Sequence, residues 1–342
     1  MGRSRPVSRD QIAPNKKVMH CFFNWQLESE SQIQVQQIGQ KEGVTKKMLN
    51  RGDRIGIVGC SDGLKKERAG QIEGLLKMLR QMGFSPVCSD YIYAIEGDFS
   101  GSWSERANAL MDFYKDDSIK AIFDISGGDL ANGVLPYLDY DVIGDSDKVF
   151  WGYSDLTAVI NAIYTKTGKA SVLYQIRNLL YDHGKQQAAD FKNTVLNCRD
   201  DLFRINCEML TAHTGMDGIV VGGNIRCFLK LAGTAYMPDL TDKILLLESY
   251  SGTAARMETY LCQLEQLGAF RKVSGILLGT FTEMEEKRCM PTIGMLIRKF
   301  TGDRIPVAVT RQIGHGTDAK GIWIGQEVSG MKLMSAAAPC KV

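Results

Sequence analysis

The sequence lacks any long uninterrupted hydrophobic run. No stretch approaches the ~18 consecutive apolar residues that a membrane-spanning helix needs. The best apolar segment near the start, Val18–Phe23, is too short and too interrupted for the hydrophobic core of a secretory signal peptide. We therefore expect no membrane anchor, no secretory leader and no membrane partner.

Paired cysteines and an excess of charge of one sign are also missing. The nine cysteines are scattered, form no Cys-x-x-Cys pair and are odd in number, which predicts reduced thiols in a cytoplasmic protein. A net charge of +2 and a hydrophobic fraction of 44% are typical of an ordinary globular protein. Without a basic excess, nucleic acid is not expected as a partner.

Aliphatic residues are scarce in the first 49 positions, which are rich in Gln, Lys, Ser and Arg. This composition, with no sustained periodicity, predicts a poorly ordered extension over residues 1–49. An amphipathic helix near Gln32–Ile38 that docks on the body is the alternative. Since 342 residues exceed what one core usually supports, we expect two domains after the extension.

Strand-like and helix-like segments alternate from residue 50 onward. This alternation predicts an α/β fold with a doubly wound parallel sheet over residues 50–170, whose ligands lie beyond the carboxyl ends of the strands. Residues 171–215 are predicted as a linker region, and residues 216–342 as a mixed α/β, β-rich C-terminal domain. The strands predicted there are Gly218–Asn224, Lys243–Glu248, Gly275–Gly279, Pro306–Val309 and Gly321–Gly325.

One serine, Ser154, lies where a strand passes directly into a helix. The apolar segment Val149–Gly152 ends just before it, and helical periodicity follows from Asp155. Such a turn projects its side chain from the sheet edge beside the backbone N–H groups of the new helix, which suits a nucleophile and its oxyanion. A helix N-cap is the alternative, and on the local sequence alone it is the simpler interpretation.

A serine nucleophile needs a base, and the sequence has only four histidines. His315 follows a predicted strand between two glycines, which let the backbone turn tightly and leave the imidazole room to approach another segment. Glu248 ends an otherwise apolar strand and is the candidate acid that orients the histidine. A solvated turn histidine and a glutamate at the water boundary are the plain alternatives. Because all three candidates lie at predicted strand ends, in the order Ser, Glu, His, the combination favours catalysis, although Gly-x-Ser-x-Gly is absent.

Six motifs occur in order and at plausible spacing between about residues 50 and 330. They are Gly127-Gly128-Asp129, Leu135–Tyr140, Gly152–Thr157, Gly222-Gly223-Asn224, Leu246–Glu248 and Gly314-His315-Gly316. Together they resemble the S66 serine peptidases, which comprise the LD-carboxypeptidases of murein recycling and the microcin C immunity peptidases. The resemblance is far more specific than any single motif.

This resemblance implies a fold and an activity. The fold would be a Rossmann-like N-terminal domain with a nucleophile elbow and a C-terminal domain that carries Glu and His. The activity would be that of a cytoplasmic serine carboxypeptidase without a metal or cofactor, commonly a homodimer. Its substrate would be a small modified peptide, either a murein LD-tetrapeptide or an aminoacyl-nucleotide of the microcin type.

The resemblance also implies roles for particular residues. Ser154 would be the nucleophile, His315 the general acid and base, and Glu248 the group that orients the histidine. Backbone N–H groups of Asp155 and of the Gly128-Asp129 turn would hold the oxyanion. The side chain of Asn224 would contact or support the substrate, or cap the helix that follows it.

Three departures from the family pattern concern substrate choice. Ser126 replaces an arginine before the glycine pair, Gln175–Asn178 replaces a Gly-Pro continuation, and Ser249–Gly252 replaces acidic residues after the glutamate. Arg177 or Arg256 could receive a substrate carboxylate, because guanidinium binds carboxylate through two parallel hydrogen bonds.

Two other functions stay open at this point. One is a serine hydrolase of another specificity, such as an esterase, on the same scaffold. The other is a non-catalytic protein that keeps the pocket for a peptide or nucleotide.

Overall fold

A six-stranded sheet organises the first domain in the computed structural model, which describes residues 33–35 and 47–328. Its strands are β2 (Arg54–Val58), β3 (Ser85–Cys88), β4 (Ile119–Asp124), β5 (Val149–Gly152), β6 (Ser171–Leu173) and β12 (Ile322–Ile324). The strand order is β12-β6-β5-β4-β2-β3, and β2 to β6 pair in parallel. The predicted doubly wound sheet is confirmed in this part of the molecule.

Helices alternate with these strands, as the periodicity predicts. They are α1 (Ala69–Met82), α2 (Trp103–Lys115), α3 (Tyr140–Asp145), α4 (Thr157–Thr167) and α5 (Gly184–Asn197). The side chains of Ile72, Leu75, Leu76 and Leu79 lie buried on α1, at the three- and four-residue spacing of one helix face. The residue after α1 is Gly83, whose φ of 100° lies in the left-handed region that glycine adopts without steric cost.

Aromatic rings pack around β5 and fix the strand that leads to Ser154. The Trp151 side chain is 1% exposed, and its ring centroid lies 5.2 Å from that of Phe123 and 5.9 Å from that of Phe191. Truncating a buried aromatic residue of this kind typically costs ~3–5 kcal/mol of folding free energy. The turn after β5 therefore starts from a rigidly packed strand.

A seven-stranded sheet organises the second domain. Its strands are β1 (Ile33–Val35), β7 (Ile205–Met209), β8 (Gly218–Asn224), β9 (Lys243–Ser249), β10 (Gly275–Phe281), β11 (Val307–Val309) and β13 (Glu327–Val328). The order is β1-β7-β11-β10-β9-β8-β13, with β8 to β11 parallel and the outer strands antiparallel. The prediction of a mixed, strand-rich second domain is confirmed.

The helices of this domain lie between or after its parallel strands. They are α6 (Ile225–Leu229), α7 (Ala254–Gln266), α8 (Ala269–Lys272), α9 (Thr282–Glu286) and α10 (Ile293–Thr301). In the described part of the chain, no helix combines the length and the apolar character needed to cross a membrane.

One strand predicted in the second domain belongs to the first sheet. β12 lies within the predicted segment Gly321–Gly325, yet it pairs antiparallel with β6, with Ile322 opposite Leu173. Both isoleucines of β12 are at most 1% exposed, so this edge of the sheet buries the apolar side chains that the strand carries. The strand is present where the sequence predicts it, but it joins the first sheet, because sequence order does not reveal which sheet a returning strand joins. The bounds of the C-terminal domain, residues 216–342, stay a prediction.

The predicted extension over residues 1–49 contains one described strand. β1 pairs antiparallel with β7, with Ile33 opposite Cys207, so the alternative of a helix near Gln32–Ile38 is wrong at residues 33–35. The alternation Ile33-Gln34-Val35 is the two-residue period of a strand and was the available signal. Leu49, at the end of the predicted extension, is 2% exposed and packs in the hydrophobic core of the first domain. The rest of the predicted extension, residues 1–32 and 36–46, lies outside the described residues.

The predicted linker region, residues 171–215, consists largely of regular structure. It contains β6, a 3₁₀ helix at Ile176–Leu180, α5 and β7. Phe191 and Val195 of α5 are fully buried with the first sheet, which explains why this segment is ordered. The segment therefore contributes β6 to the first sheet and β7 to the second, and the predicted linker and domain boundaries stay a prediction.

Candidate active site

Ser154 lies on a strained turn between β5 and α4. Its φ of 57° is in the left-handed region, which residues other than glycine rarely adopt and which often marks functional sites. A 3₁₀ turn at Ser154–Leu156 leads into α4, and a Cβ atom at Gly152 would lie 2.7 Å from Cβ of Leu156. A glycine before the turn is therefore required for the chain to fold back this sharply.

The Ser154 hydroxyl does not cap the helix. It lies 3.1 Å from Nε2 of His315, and neither the 3₁₀ turn nor α4 has a side-chain N-cap hydrogen bond. The N-cap interpretation is therefore wrong. The hydroxyl is directed instead at the imidazole of His315, 161 positions later in the chain.

His315 bridges the serine and a glutamate. Its Nδ1 lies 2.8 Å from Oε2 of Glu248, and because a carboxylate only accepts, Nδ1 carries the proton. Nε2 then accepts from the Ser154 hydroxyl. The imidazole is flanked by the rings of Tyr153 and Tyr250, with centroids 4.9 and 5.0 Å away. Packing and the glutamate together hold one tautomer and one orientation of the imidazole.

The glycine before His315 is also dictated by close packing. Gly314 has a φ of 155°, and a Cβ atom there would overlap the Thr280 hydroxyl. The loop after β11 can therefore approach β10 closely enough to bring His315 to the site.

Glu248 is completely buried and satisfied by three donors. Besides Nδ1 of His315, Nδ2 of Asn224 donates to its Oε1 at 3.0 Å and the Tyr153 hydroxyl to its Oε2 at 3.3 Å. Burial first, and the negative charge of Glu248 second, raise the pKa of Tyr153 well above its usual value, so the phenol keeps its proton and donates. The interpretation of Glu248 as a residue that merely meets water is therefore wrong.

Asn224 performs the capping role that its position predicts. Its Oδ1 accepts from the backbone N–H of Cys227 at 3.3 Å at the start of α6. Its amide group faces Glu248, which is its register partner on the neighbouring strand. A contact between Asn224 and substrate stays a prediction.

Asp155 contributes a buried carboxylate beside the turn. Its Oδ2 accepts from the Ser61 hydroxyl at 2.6 Å and from the backbone N–H of Ala131 at 2.8 Å, and its Oδ1 pairs with Lys230. These contacts tie the nucleophile turn to the loops after β2 and β4 and to α6. The backbone N–H of Asp155 makes no hydrogen bond to another described residue.

The Gly128-Asp129 turn offers one backbone donor to the site, not two. The backbone N–H of Asp129 donates to Oδ1 of Asp62 at 2.8 Å. It is therefore not free to hold an oxyanion, and the predicted oxyanion role of Asp129 is wrong. Gly128 has a φ of 119°, and its N–H has no acceptor among the described residues. Arg226 donates to the Gly128 carbonyl at 2.8 Å and pairs with the Asp129 carboxylate, which fixes the turn.

The sequence reasoning missed three residues that support the site. Asp62 holds the Gly128-Asp129 turn, Tyr153 donates to Glu248, and Lys230 pairs with Asp155. Burial first, and the nearby Asp155 second, raise the pKa of Asp62. The available signal was positional, since Asp62 follows β2 and Tyr153 follows β5 at the carboxyl edge of the sheet.

A cavity of about 450 Å³ opens in front of Ser154 and His315. Its lining includes Gly128, Arg177 and Asn224, together with Ser249–Ser251. All three departures from the family pattern, Ser126, Gln175–Asn178 and Ser249–Gly252, reach this lining in whole or in part. In the described part of the chain, no group of His, Cys, Asp and Glu side chains is arranged to hold a metal ion.

The fold and this arrangement define a class of protein. Two α/β domains bring a serine on a strained strand-to-helix turn against a histidine that is bonded to a buried glutamate, which is the side-chain set of serine hydrolases. The chain belongs to the S66 peptidase family. The model of the LD-carboxypeptidase N-terminal domain matches residues 55–174, and that of the LD-carboxypeptidase C-terminal domain matches residues 217–329.

Relatives in this family include the microcin C7 self-immunity protein MccF of Escherichia coli. The two chains are 25% identical over 260 residues, which cover 67% of this chain and 75% of MccF. A solved structure of an MccF-like protein from Bacillus anthracis is 28% identical, with a TM-score of 0.72, and covers 82% of this chain and 94% of that one.

A second kind of relative shares the fold. The structure of muramoyltetrapeptide carboxypeptidase from Oxalobacter formigenes has a TM-score of 0.67 at 21% identity, over 82% of this chain and 96% of that one. Both kinds of relative align along most of the two domains.

Proposed function

We propose that this protein is a serine carboxypeptidase-type hydrolase that cleaves an amide bond of a modified peptide. One observation carries the proposal: Oγ of Ser154 lies 3.1 Å from Nε2 of His315, whose Nδ1 lies 2.8 Å from the fully buried Glu248. This is the relation of nucleophile, base and orienting acid that acyl transfer requires.

The geometry supports a two-step reaction. Nε2 of His315 takes the hydroxyl proton as Oγ of Ser154 attacks the amide carbonyl, and Glu248 stabilises the imidazolium that forms. The backbone N–H groups of Asp155 and Gly128 are the oxyanion donors, each of a kind that contributes ~3 kcal/mol in comparable sites. His315 then gives the proton to the leaving amine. Water, activated by the same histidine, releases the acyl group from Ser154.

The size of the cavity and the names of the relatives support the proposed substrate class. The cavity of about 450 Å³ is in the range that takes a small peptide or a peptide-nucleotide conjugate. The relatives differ in what their names and titles describe: MccF has been solved with glutamyl sulfamoyl guanosine, and another relative is a muramoyltetrapeptide carboxypeptidase. We propose a murein LD-tetrapeptide or an aminoacyl-nucleotide as the substrate of this chain.

Location and assembly are part of the same proposal. Cys60, Cys207 and Cys227 are buried and form no disulfide bond with another described residue, which supports the proposal of a cytoplasmic enzyme. A homodimer is proposed from the family resemblance alone.

Offering both substrate classes side by side tests the proposal. We expect the purified protein to release the terminal D-amino acid from a murein LD-tetrapeptide, or the amino acid from an aminoacyl sulfamoyl adenylate, as followed by mass spectrometry. Ser154→Ala protein in the same assay is the control for contaminating peptidases. Cleavage of simple esters without cleavage of either amide would contradict the carboxypeptidase proposal and favour an esterase.

A further inference from the structure

Arg177 brings an uncompensated positive charge to the cavity in front of Ser154. It lies in the 3₁₀ helix Ile176–Leu180, directly after β6, and β6 is the parallel neighbour of β5, the strand that leads to Ser154. The cavity lining contains both Arg177 and Ser154. The carboxyl ends of adjacent parallel strands thus present a nucleophile and a guanidinium to the same space.

The guanidinium is positioned but not paired. Its Nε donates to Oε1 of Gln175 at 3.2 Å, and the same oxygen accepts from the Arg177 backbone N–H at 3.2 Å. Within the described part of the chain, no carboxylate forms an ion pair with Arg177, and its two terminal nitrogens make no hydrogen bond. The N–H groups of these two nitrogens are therefore available to bind a planar anion through two parallel hydrogen bonds.

The charge balance of the cavity points the same way. Lys65 and Arg68 also line it and, like Arg177, make no ion pair among the described residues. Asp62 is the unpaired acid on the lining, and its Oδ1 is committed to backbone N–H groups. The lining therefore carries more free positive than negative charge, and Arg177 is the one of these three cations that is partly buried.

The other basic residues near the site already form ion pairs or lie outside the cavity lining. Arg226 pairs with Asp129, and Lys320 pairs with Asp190. Arg256, the second candidate from the sequence, is exposed on α7 and is not part of the cavity lining. Of the two arginines that the sequence offered as carboxylate ligands, Arg177 lines the cavity and Arg256 does not.

We propose that Arg177 binds a carboxylate of the substrate, namely the free carboxylate of the terminal amino acid whose amide bond faces Ser154. This rests on the proposed carboxypeptidase function and narrows it to peptides with a free carboxyl end. Gln175 is the positioning residue, because its side-chain oxygen holds both the backbone and Nε of Arg177. Burial lowers the pKa of Arg177, so an anionic ligand would compensate a partly desolvated charge.

Binding to a catalytically dead protein tests this without turnover. Ser154→Ala protein is titrated by calorimetry with a murein LD-tetrapeptide whose terminal D-alanine is either the free acid or the carboxamide. We expect the free acid to bind about tenfold or more tightly than the carboxamide, as for a charge-assisted hydrogen bond. Adding Arg177→Met should reduce this ratio to about twofold or less, while the affinity for the carboxamide changes little.

Matched variants and ligands sharpen the test. Arg256→Met in the same background should keep the full preference for the free acid. Arg177→Lys should keep part of this preference, because lysine retains the positive charge but cannot form two parallel hydrogen bonds to a carboxylate. An aminoacyl sulfamoyl adenylate, which has no carboxylate on its leaving group, should bind equally well with and without Arg177→Met.

Three results would overturn the assignment. They are no measurable binding of the free acid, equal affinities for acid and carboxamide, or an equal loss of adenylate and peptide binding in Arg177→Met. Labelling of the wild-type and Arg177→Met proteins at Ser154 by a neutral phosphonate is independent of the carboxylate. A labelled protein without acid preference therefore refutes the Arg177 proposal and leaves the hydrolase proposal intact.

Discussion

Ser154→Ala is expected to reduce kcat by roughly 10⁴- to 10⁶-fold on whichever peptide amide the wild-type protein cleaves. The substitution removes the atom that would form the acyl-enzyme, so the residual rate would come only from the oxyanion donors and from substrate binding. The fold should survive, because an alanine in place of Ser154 loses only the hydrogen bond to His315. Single-turnover kinetics with saturating protein give the measurement.

Ser85→Ala is the matched control for this variant. Ser85 is an exposed serine on β3 outside the lining of the cavity, and its side chain makes no hydrogen bond to another described residue. Its replacement should change kcat by less than about threefold, as is usual for surface positions. If Ser154→Ala kept more than about a tenth of the wild-type kcat, Ser154 could not be the nucleophile.

Glu248→Gln is expected to lower kcat/KM by roughly 10³- to 10⁴-fold, close to the effect of replacing an orienting acid in other triads. Three donors converge on Glu248, from His315, Asn224 and Tyr153. A glutamine offers one acceptor oxygen and adds an NH₂ group that would face one of these donors. The histidine would then lose either its tautomer or the negative charge that stabilises its protonated form.

Stability measurements separate this loss from unfolding. A buried carboxylate replaced by an amide with a mispaired donor should cost about 1–3 kcal/mol of folding free energy, which leaves a folded protein in the assay. Glu258→Gln is the control, because Glu258 lies on α7 in an exposed ion pair with Lys299. Equal kcat/KM in Glu248→Gln and the wild-type protein would show that the buried acid takes no part in the reaction.

The site was predictable from the sequence because its parts follow strands. Glu248 lies in an apolar strand, and Ser154 and His315 lie in the turn and the loop that follow apolar strands. Parallel sheets bring such strand ends to one edge. Local sequence could not decide between helix cap and nucleophile for Ser154. That choice depends on the left-handed φ of Ser154 and on a hydrogen bond to a residue 161 positions away.

The rest of the site depends on long-range packing. Whether the N–H of Asp129 faces the cavity is decided by Asp62, which is 67 positions earlier in the chain. Whether Arg177 or Arg256 lines the cavity is decided by which helix each occupies and by the orientation of that helix. None of this is encoded in the spacing of neighbouring residues.

The fold, like the site, was predictable from the sequence only in part. Apolar periodicity predicted the alternating strands and helices of the first domain and the parallel strands of the second, because burial on one or both faces is a local pattern. It could not assign β12 to a sheet, since the short apolar run Ile322–Ile324 carries no information about its partner strand. β1 was not predicted, because its three residues Ile33–Val35 are too short a run to show a sustained period.

The measurement that tests the central claim most directly is the site of covalent labelling by a neutral phosphonate. Trypsin should cut after Lys148 and after Lys166, and Ser154 is the only serine in the resulting peptide, residues 149–166. The account predicts one adduct per chain on this peptide, assigned to Ser154 by fragmentation, and none in Ser154→Ala protein. An unlabelled protein with an intact fold, or an adduct on any other residue, would contradict it.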